Sequence, residues 1–432
     1  MARRISSFGA LKHPDFRLLW IGQLVSQAGT QMQVVAINWH IYSLTHSAVA
    51  LGLVGLVRFV PIVIFSLIGG VFADVHNRRS VLLVTQSAMM LFAALLGFLT
   101  SAGWVSVNLI YLLAGLTSAA MAFDAPARQS LPPNLVPKED LVNALSLTNM
   151  LRQTATVIGP GLAGFVIAWA GEAAVYWINA ASFLGVLIAL MFMRTPPQEN
   201  GGPIRISLPA IVDGIRYVRS SRIILSTMLL DFLGSFFSSA SSLLPIFARE
   251  ILKVGAQGMG ILYASESAGA VLAGVAISWL GNIRKKATVL LWALGIYGAA
   301  TVVYGSSRWF LISAFFLGLV GAADTVGTIL RNTIRQLATP DYLRGRMASI
   351  NIIFSRGGPQ LGNLEAGLVA SLIGAPLSVM TGGIATVAIV ILVAWLNPEL
   401  RSYGDKLVNA INPSGIPQYK KETFLEEGKG DH

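Results

Sequence analysis

Stretches of about twenty or more mostly apolar residues, separated by short polar turns, recur along almost all of this 432-residue chain. A bilayer core about 30 Å thick needs about twenty such residues per crossing helix. Candidate spans lie near 16–44, 47–75, 79–102, 105–132, 139–170 and 172–194, and again near 222–251, 256–281, 287–306, 308–337, 341–372 and 375–396. Composition agrees, since 54% hydrophobic and only 12% charged residues fall outside the range of soluble domains. The sequence therefore predicts an all-α integral membrane protein with twelve transmembrane helices.

The formal net charge of +11 could suggest a nucleic-acid partner, but the placement of the basic residues argues for a membrane instead. With the N-terminus inside, the outer loops at 45–47, 102–106, 171–173 and 373–375 carry no Lys or Arg, and the other outer loops hold only Arg249, Lys253 and Arg308. The inner segments hold Arg78, Arg79, Lys138, Arg194, Arg216, Arg284, Lys285, Lys286, Arg344 and Arg346, among others. This positive-inside bias places both termini in the cytoplasm and makes the span count even. No cleavable signal sequence is expected, because the basic start leads into a span too long and too polar for one. The chain has no cysteine, which excludes disulfides and thiolate metal sites.

The apolar pattern breaks once, at residues 195–206, where Pro, Gly and polar residues accumulate. The expected division is a six-helix half over 1–194, a linker over 195–221, a second half over 222–397 and a cytoplasmic tail over 398–432. Within the linker, Leu208, Ile211, Val212, Ile215 and Val218 share one helical face, which predicts a helix on the membrane surface. The halves also resemble each other. A shift of 203 residues superposes Arg128 on Arg331, Pro137 on Pro340, Gly159 on Gly362 and Gly164 on Gly367, all in the fourth and fifth spans of each half. Internal repeats of this kind are how many transporters build alternating access.

Two motifs carry a family resemblance. Gly70-Val-Phe-Ala-Asp74-Val-His-Asn-Arg78-Arg79 closes the second span and resembles motif A of the major facilitator superfamily, with Val75 and Asn77 in place of its first Arg and second Gly. The resemblance implies a major facilitator fold of two pseudo-symmetric six-helix halves, and a latch in which Asp74 pairs with a basic residue such as Arg128. Gly159-Pro160-Gly161-Leu-Ala-Gly164 satisfies a dinucleotide fingerprint, but that motif needs a preceding strand, whereas 152–169 reads as one transmembrane helix. It is similar instead to motif C of facilitator antiporters. Plain close packing by small residues, with a kink at Pro160, stays open as the other reading. The segments Ala10–Trp20 and Leu343–Ser349 are similar to the branch that holds the bacterial enterobactin exporter and related drug efflux antiporters.

Charges inside spans are costly and mark cavities or partners. At about 1.5 Å per residue, Asp124 lies level with Arg152, and Asp324 with Arg356, which predicts two matched ion pairs with either a structural or a gating role. Arg58 and Glu365 form a candidate third pair. Asp231 and Glu266 have no obvious basic neighbour. An unpaired carboxyl in low dielectric favours its protonated form, so these two are the candidate proton carriers. Gln23, Gln27, Gln31 and Asn38 on the first span, and Ser235, Ser238, Ser239 and Ser242 on the seventh, form stripes that line a central cavity or make inter-helix hydrogen bonds. Trp39, Trp104, Trp169, Trp279, Trp309 and Trp395 suit interfacial belts.

The expected function is a proton-coupled secondary transporter in the bacterial inner membrane, exporting small amphipathic compounds, drug-like or siderophore-like, as a monomer. Its partners are a small-molecule substrate, protons and the lipid bilayer, with no nucleic acid. The proton gradient supplies the energy, and no cofactor or metal is expected. A metabolite importer shares the same fold features. A membrane enzyme or scaffold is the remaining class, and no HExxH pair, GxSxG elbow or P-loop is present to support an enzyme.

Overall fold

The computed structural model describes residues 9–194, 216, 218–219, 221–239, 241–281, 283, 285–340 and 343–397. The side chains of 67–68, 70–71, 73–75, 344–346, 348–350 and 352–353 lie outside the described set. The linker over 195–215 and the tail over 398–432 also lie outside it. Of the expected surface helix only Arg216, Val218 and Arg219 are described, and Val218 packs with Ile224, Met228 and Met347.

The helices are α1 (Pro14–Thr45), α2 (Ala48–Val75), α3 (Arg78–Ser101) and α4 (Val107–Ser130). The run Leu141–Phe192 is continuous except at Gly171, where φ of 76° turns the chain and separates α5 (141–170) from α6 (172–192). Then follow α7 (Arg222–Ser238), α8 (Gly255–Leu280), α9 (Lys286–Ser306), α10 (Phe310–Ala338), α11 (Arg344–Ile373) and α12 (Ala375–Leu396). Among the described residues nine segments are long and apolar enough to cross a membrane, and the one over 138–192 contains both α5 and α6. The two long helices that fall short of that apolarity are α1, which carries the glutamine stripe, and α11, which carries Arg356, Asn363 and Glu365.

Local chemistry sets the turns. Ser47, Ser106 and Ser221 cap α2, α4 and α7 by accepting from the N–H groups of Ala50, Leu109 and Ile224. Gly171 and Gly374, at φ of 76° and 87°, make the tight corners between α5 and α6 and between α11 and α12, a conformation that disfavours any residue with a β-carbon. These two glycines are themselves related by the 203-residue shift, as are the first residues of α4 and α10 and of α5 and α11.

Packing follows the repeat. In the first half α1 lies on α5, α2 on α4, and α3 on α4 and α6; in the second α7 lies on α11, α8 on α10, and α9 on α10 and α12. The halves meet along two seams, α2 with α11 and α5 with α8. Glycines set both. A β-carbon at Gly164 would fall 2.5 Å from the Ala256 carbonyl oxygen and 2.8 Å from Gly260 Cα, and one at Gly367 would fall 2.6 Å from the Ala48 carbonyl oxygen and 2.9 Å from Gly52 Cα. Gly159 is pressed onto α1 at Ala28 and Gln31, as Gly362 is onto α7 at Phe236. The glycines aligned by sequence therefore occupy equivalent contacts in space.

Three expectations are corrected. The seventh span keeps its expected extent, Arg222–Ile251, but is not one regular helix, because α7 stops at Ser238 and the chain continues as short helical pieces over 241–251. Serines at 238, 239, 241 and 242 offer the backbone alternative hydrogen bonds, and Pro245 removes a donor. The kink open to Pro160 does not break α5, which stays helical through Pro160 and ends before Gly171, where the sequence places the loop. Trp39 packs against the main core cluster, whereas Trp104, Trp169, Trp279, Trp309 and Trp395 are exposed near helix ends.

Gly164→Val and Gly367→Val should each cost about 1–3 kcal/mol through overpacking of backbone against backbone. The purified protein should melt at lower temperature, whereas Gly161→Ala, whose new β-carbon meets nothing nearer than Ala264 Cβ at 3.6 Å, should melt unchanged.

Candidate transport site between the two halves

At the end that carries His46 and Glu250 the halves are joined by side chains as well as by the seams. Asn38 Nδ2 donates to Tyr263 Oη at 3.0 Å, Tyr263 Oη donates to the Ser241 carbonyl at 2.7 Å, and the Tyr42 hydroxyl donates to Glu250. A continuous apolar cluster containing Ile41, Leu51, Ile167, Phe247, Met259 and Ala370 fills the space between them. The other end, where α2 and α4 finish and α5 and α11 begin, instead holds a cavity of about 240 Å³ lined by residues that include Gln23, Gln27, Arg128, Arg152 and Arg356.

Each half contains its own neutralised ion network. In the first, Arg128 Nη2 sits 2.7 Å from Asp124 Oδ2, an ion-pair distance although off the line of a hydrogen bond. Thr85 and Gln86 on α3 donate to the other carboxylate oxygen at 3.1 and 2.6 Å. In the second half Asp231 on α7 lies between two guanidinium groups of α10, with Arg331 Nη2 at 3.1 Å and Arg335 Nη2 at 3.2 Å. Arg331 also reaches Asp324 at 3.3 Å and Thr328 at 2.8 Å, and Arg335 reaches Asn332 at 2.9 Å and Asn351 on α11. Both arginines are 1% exposed. Charges so far from water persist only when paired and hydrogen-bonded.

These contacts overturn the expected pairings. Asp124 does not meet Arg152. Equal depth on neighbouring helices does not give equal facing: Asp124 points at α3 and its own next turn, while Arg152 is exposed and bonds to Asn149 Oδ1 at 2.9 Å. Asp324 pairs with Arg331 two turns along its own helix, and Arg356 is exposed on the cavity. Arg58 and Glu365 form no ion pair among the described residues. Gly55 lies against Gln360 and Phe59 against Gly357, so antiparallel α2 and α11 leave Glu365 about 10 Å along the axis from the level of Arg58. Asp231 is not an unpartnered acid. Its two partners were visible as Arg331 and Arg335, four residues apart on one face of the tenth span, and their depth relative to Asp231 was the available signal.

Glu266 matches its expectation better, since it forms no ion pair among the described residues. It borders two cavities. One of about 40 Å³ is shared with Ser238, Ser239, Tyr297, Thr301 and Tyr304; the other, of about 290 Å³, lies between the halves and is lined by Gln31, Thr156 and Pro160 from the first half and Tyr263, Asp324 and Thr325 from the second.

The polar stripes divide between the two readings. Gln23 and Gln27 line the basic cavity and Gln31 the acidic one, whereas Asn38 serves the inter-half hydrogen bond. Ser238 bonds to Thr386 on α12 at 2.7 Å, Ser235 packs against Gly358, and Ser242 is buried at the break after α7. Gln33, which bonds Asn179 at 2.5 Å on the opposite side of α1, belongs to neither cavity.

Of the motif A residues, the side chains of Gly70 and Asp74 lie outside the described residues. Arg128, the suggested latch partner, is engaged by Asp124. Arg78 donates to the Ser130 carbonyl at 3.1 Å, and Arg79 to the Leu190 and Met191 carbonyls at 2.6 and 3.0 Å. The basic pair thus ties the start of α3 to the C-terminal carbonyls of α4 and α6, where cations are favoured. Gly159, Pro160 and Gly164 lie in the helix contacts already described, which is the packing reading of that motif. No three His, Asp or Glu side chains among the described residues come together as metal ligands.

Asp231→Asn should leave two buried guanidinium groups short of a counter-charge and cost about 3–5 kcal/mol. Lower yield and a lower melting temperature in detergent would report it, whereas Arg152→Gln, exposed and free of any acid among the described residues, should change stability by less than about 0.5 kcal/mol.

Comparison with known proteins agrees with this architecture. The chain is 26% identical over 395 residues to the staphyloferrin A transporter of Staphylococcus aureus (strain NCTC 8325 / PS 47), covering 89% of this chain and 95% of the relative. It is 25% identical over 397 residues to the enterobactin exporter of Escherichia coli O1:K1, covering 90% and 94%. Its fold is similar to that of a bacterial homologue of the human lysosomal transporter Spinster, solved in an inward-facing, unoccupied conformation, with a TM-score of 0.69 at 14% identity over 91% of this chain and 97% of that one. Residues 5–420 match the family described as transmembrane secretion effector, and the chain belongs to that family of the major facilitator superfamily, a multi-pass membrane transporter and not an enzyme.

Proposed function

We propose that the protein is a proton-coupled exporter of small amphipathic compounds, working by alternating access in the bacterial inner membrane as a monomer with both termini in the cytoplasm. The observation that carries the coupling is Glu266, a carboxyl without a cationic partner among the described residues, on a cavity between the halves and beside Asp324. An acid in that position can change protonation as the cavity gains or loses access to water, which is what a proton carrier in a membrane must do. Asp324 is a weaker candidate because Arg331 engages it. No cofactor enters this reading, because the proton gradient does the work.

The sidedness of the two ends supports this reading. The positive-inside bias assigns the arginine-lined cavity to the cytoplasmic side, and the packed end with Asn38, Tyr42, Tyr263 and Glu250 to the outside. Cargo then enters from the cytoplasm while the outer end is shut. Rocking about the glycine seams exchanges which end is closed. A relative that exports enterobactin supports export over uptake, and relatives named for two siderophores make siderophore-like or drug-like compounds the first to try.

Everted membrane vesicles energised by respiration test this directly. With acridine orange reporting the pH gradient, a panel of siderophores and amphipathic drugs should include compounds that collapse the gradient when the protein is present. Glu266→Gln should abolish that signal, by about tenfold or more, while the protein remains folded. Cargo accumulation that persists after a protonophore dissipates the gradient would overturn the coupling.

A further inference from the structure

The cavity at the arginine-bearing end contains no acid among its lining residues. Of its three arginines, Arg128 is neutralised by Asp124. Arg152 has only the neutral carboxamide of Asn149 at 2.9 Å, and Arg356 forms no ion pair among the described residues.

Arg152 and Arg356 come from opposite halves. They stand on α5 and α11, which the 203-residue repeat makes equivalent, and that shift carries Arg152 to within one residue of Arg356. Among the described residues, Arg356 is the one lining residue from the second half. Two guanidinium groups without an acidic partner among the described residues therefore face one small space between the halves.

We propose that this cavity is the subsite for an acidic group of the cargo, which is a small organic anion bearing a carboxylate or an ionised phenol. The planar Arg fork matches such oxygens, while Gln23, Gln27 and Gln129 supply neutral donors beside it. The arrangement also links occupancy to closure. Rocking that shuts this end brings the two guanidinium groups together in a space losing water, where like charges repel strongly. An anion between them replaces that repulsion with two attractions, so the loaded transporter closes and the empty one resists closing. This subsite rests on the transporter reading for the side from which cargo arrives, but its charge preference does not depend on proton coupling.

The absence of cysteine makes the test clean, since Gln27→Cys places a single thiol in the cavity lining. In the full-length protein in detergent, with no pH gradient, its reaction with the anionic reagent methanethiosulfonate ethylsulfonate should outpace that with the cationic trimethylammonium reagent. After normalisation to 2-mercaptoethanol, the preference should be about tenfold. Arg152→Gln and Arg356→Gln, each in the Gln27→Cys background, should each reduce it several-fold, and Arg152→Lys should retain most of it. 5-Carboxyfluorescein should slow labelling of the thiol by N-ethylmaleimide, and the cationic dye rhodamine 6G should not.

A reagent preference equal to that of the free thiol, or protection by rhodamine 6G as good as by 5-carboxyfluorescein, overturns the proposal. Protection that appears in phosphatidylglycerol nanodiscs without any dye, and is missing in phosphatidylcholine ones, assigns the subsite to a lipid headgroup and overturns the cargo assignment. Because no gradient is present, these outcomes are separate from the Glu266→Gln result. The anion preference can stand where coupling fails, and the reverse.

Discussion

Backbone packed on backbone at Gly164 with Gly260, and at Gly52 with Gly367, is the contact on which the rest of the assembly turns. In lipid there is no hydrophobic drive between helices, so association depends on close van der Waals approach, which small residues permit. Both seams join helices of different halves, and both lie toward the end where Asn38, Tyr42, Tyr263 and Glu250 add polar contacts. Tight packing there leaves the opposite end to hold the arginine-lined cavity. A molecule fastened at one end of two parallel seams can exchange its open end by rocking without unfolding any helix, because each helix keeps its own hydrogen bonds throughout.

Charge is distributed to suit that motion. The ion networks Asp124 with Arg128 and Asp231 with Arg331 and Arg335 are internal to one half each, so rocking of one half against the other leaves them intact. Breaking such a pair in low dielectric is prohibitive, and a pair that bridged the halves at depth would lock them. Glu266, Arg152 and Arg356 differ: none forms an ion pair among the described residues, and all border cavities between or beside the halves. The contrast separates charges that hold the fold from charges free to meet a proton or a cargo.

Much of the fold was legible in the sequence because its signals are one-dimensional. Span length follows from bilayer thickness, and the 203-residue shift foretold that Gly164 and Gly367 make equivalent contacts, which they do at Gly260 and Gly52. The site was less legible. Depth along a helix can be counted, but the direction a side chain faces depends on helix rotation and tilt, which spacing within one span does not supply. Hence Asp124 and Arg152, level by residue count, point to different neighbours. Asp231 reads as unpaired when neighbouring helices are compared by depth alone, because its two partners, Arg331 and Arg335, both stand on the tenth span. The i, i+4 spacing of those arginines in an apolar span was a local signal for a shared carboxylate. The serine stripe failed for a different reason: four serines and a proline near one helix end favour ending the helix, and the stripe lost its common face at Ser239.

The two seams expose an asymmetry within the symmetric backbone. Gly52 and Gly260 occupy equivalent seam positions on α2 and α8, and the residue six further along is Arg58 in the first half and Glu266 in the second. The same structural place thus carries a cation in one half and an acid in the other. The cavities follow the same polarity, with Arg128, Arg152 and Arg356 around the one built mainly by the first half and Glu266 and Asp324 in the one reaching into the second. A duplicated scaffold supplies two equivalent walls of one passage. On the proposed reading, opposite charges on those walls would let a proton and an anionic cargo be handled at different places without competing for one residue. Rocking of the halves would then couple their exchange, since what neutralises one wall changes the cost of bringing it toward the other.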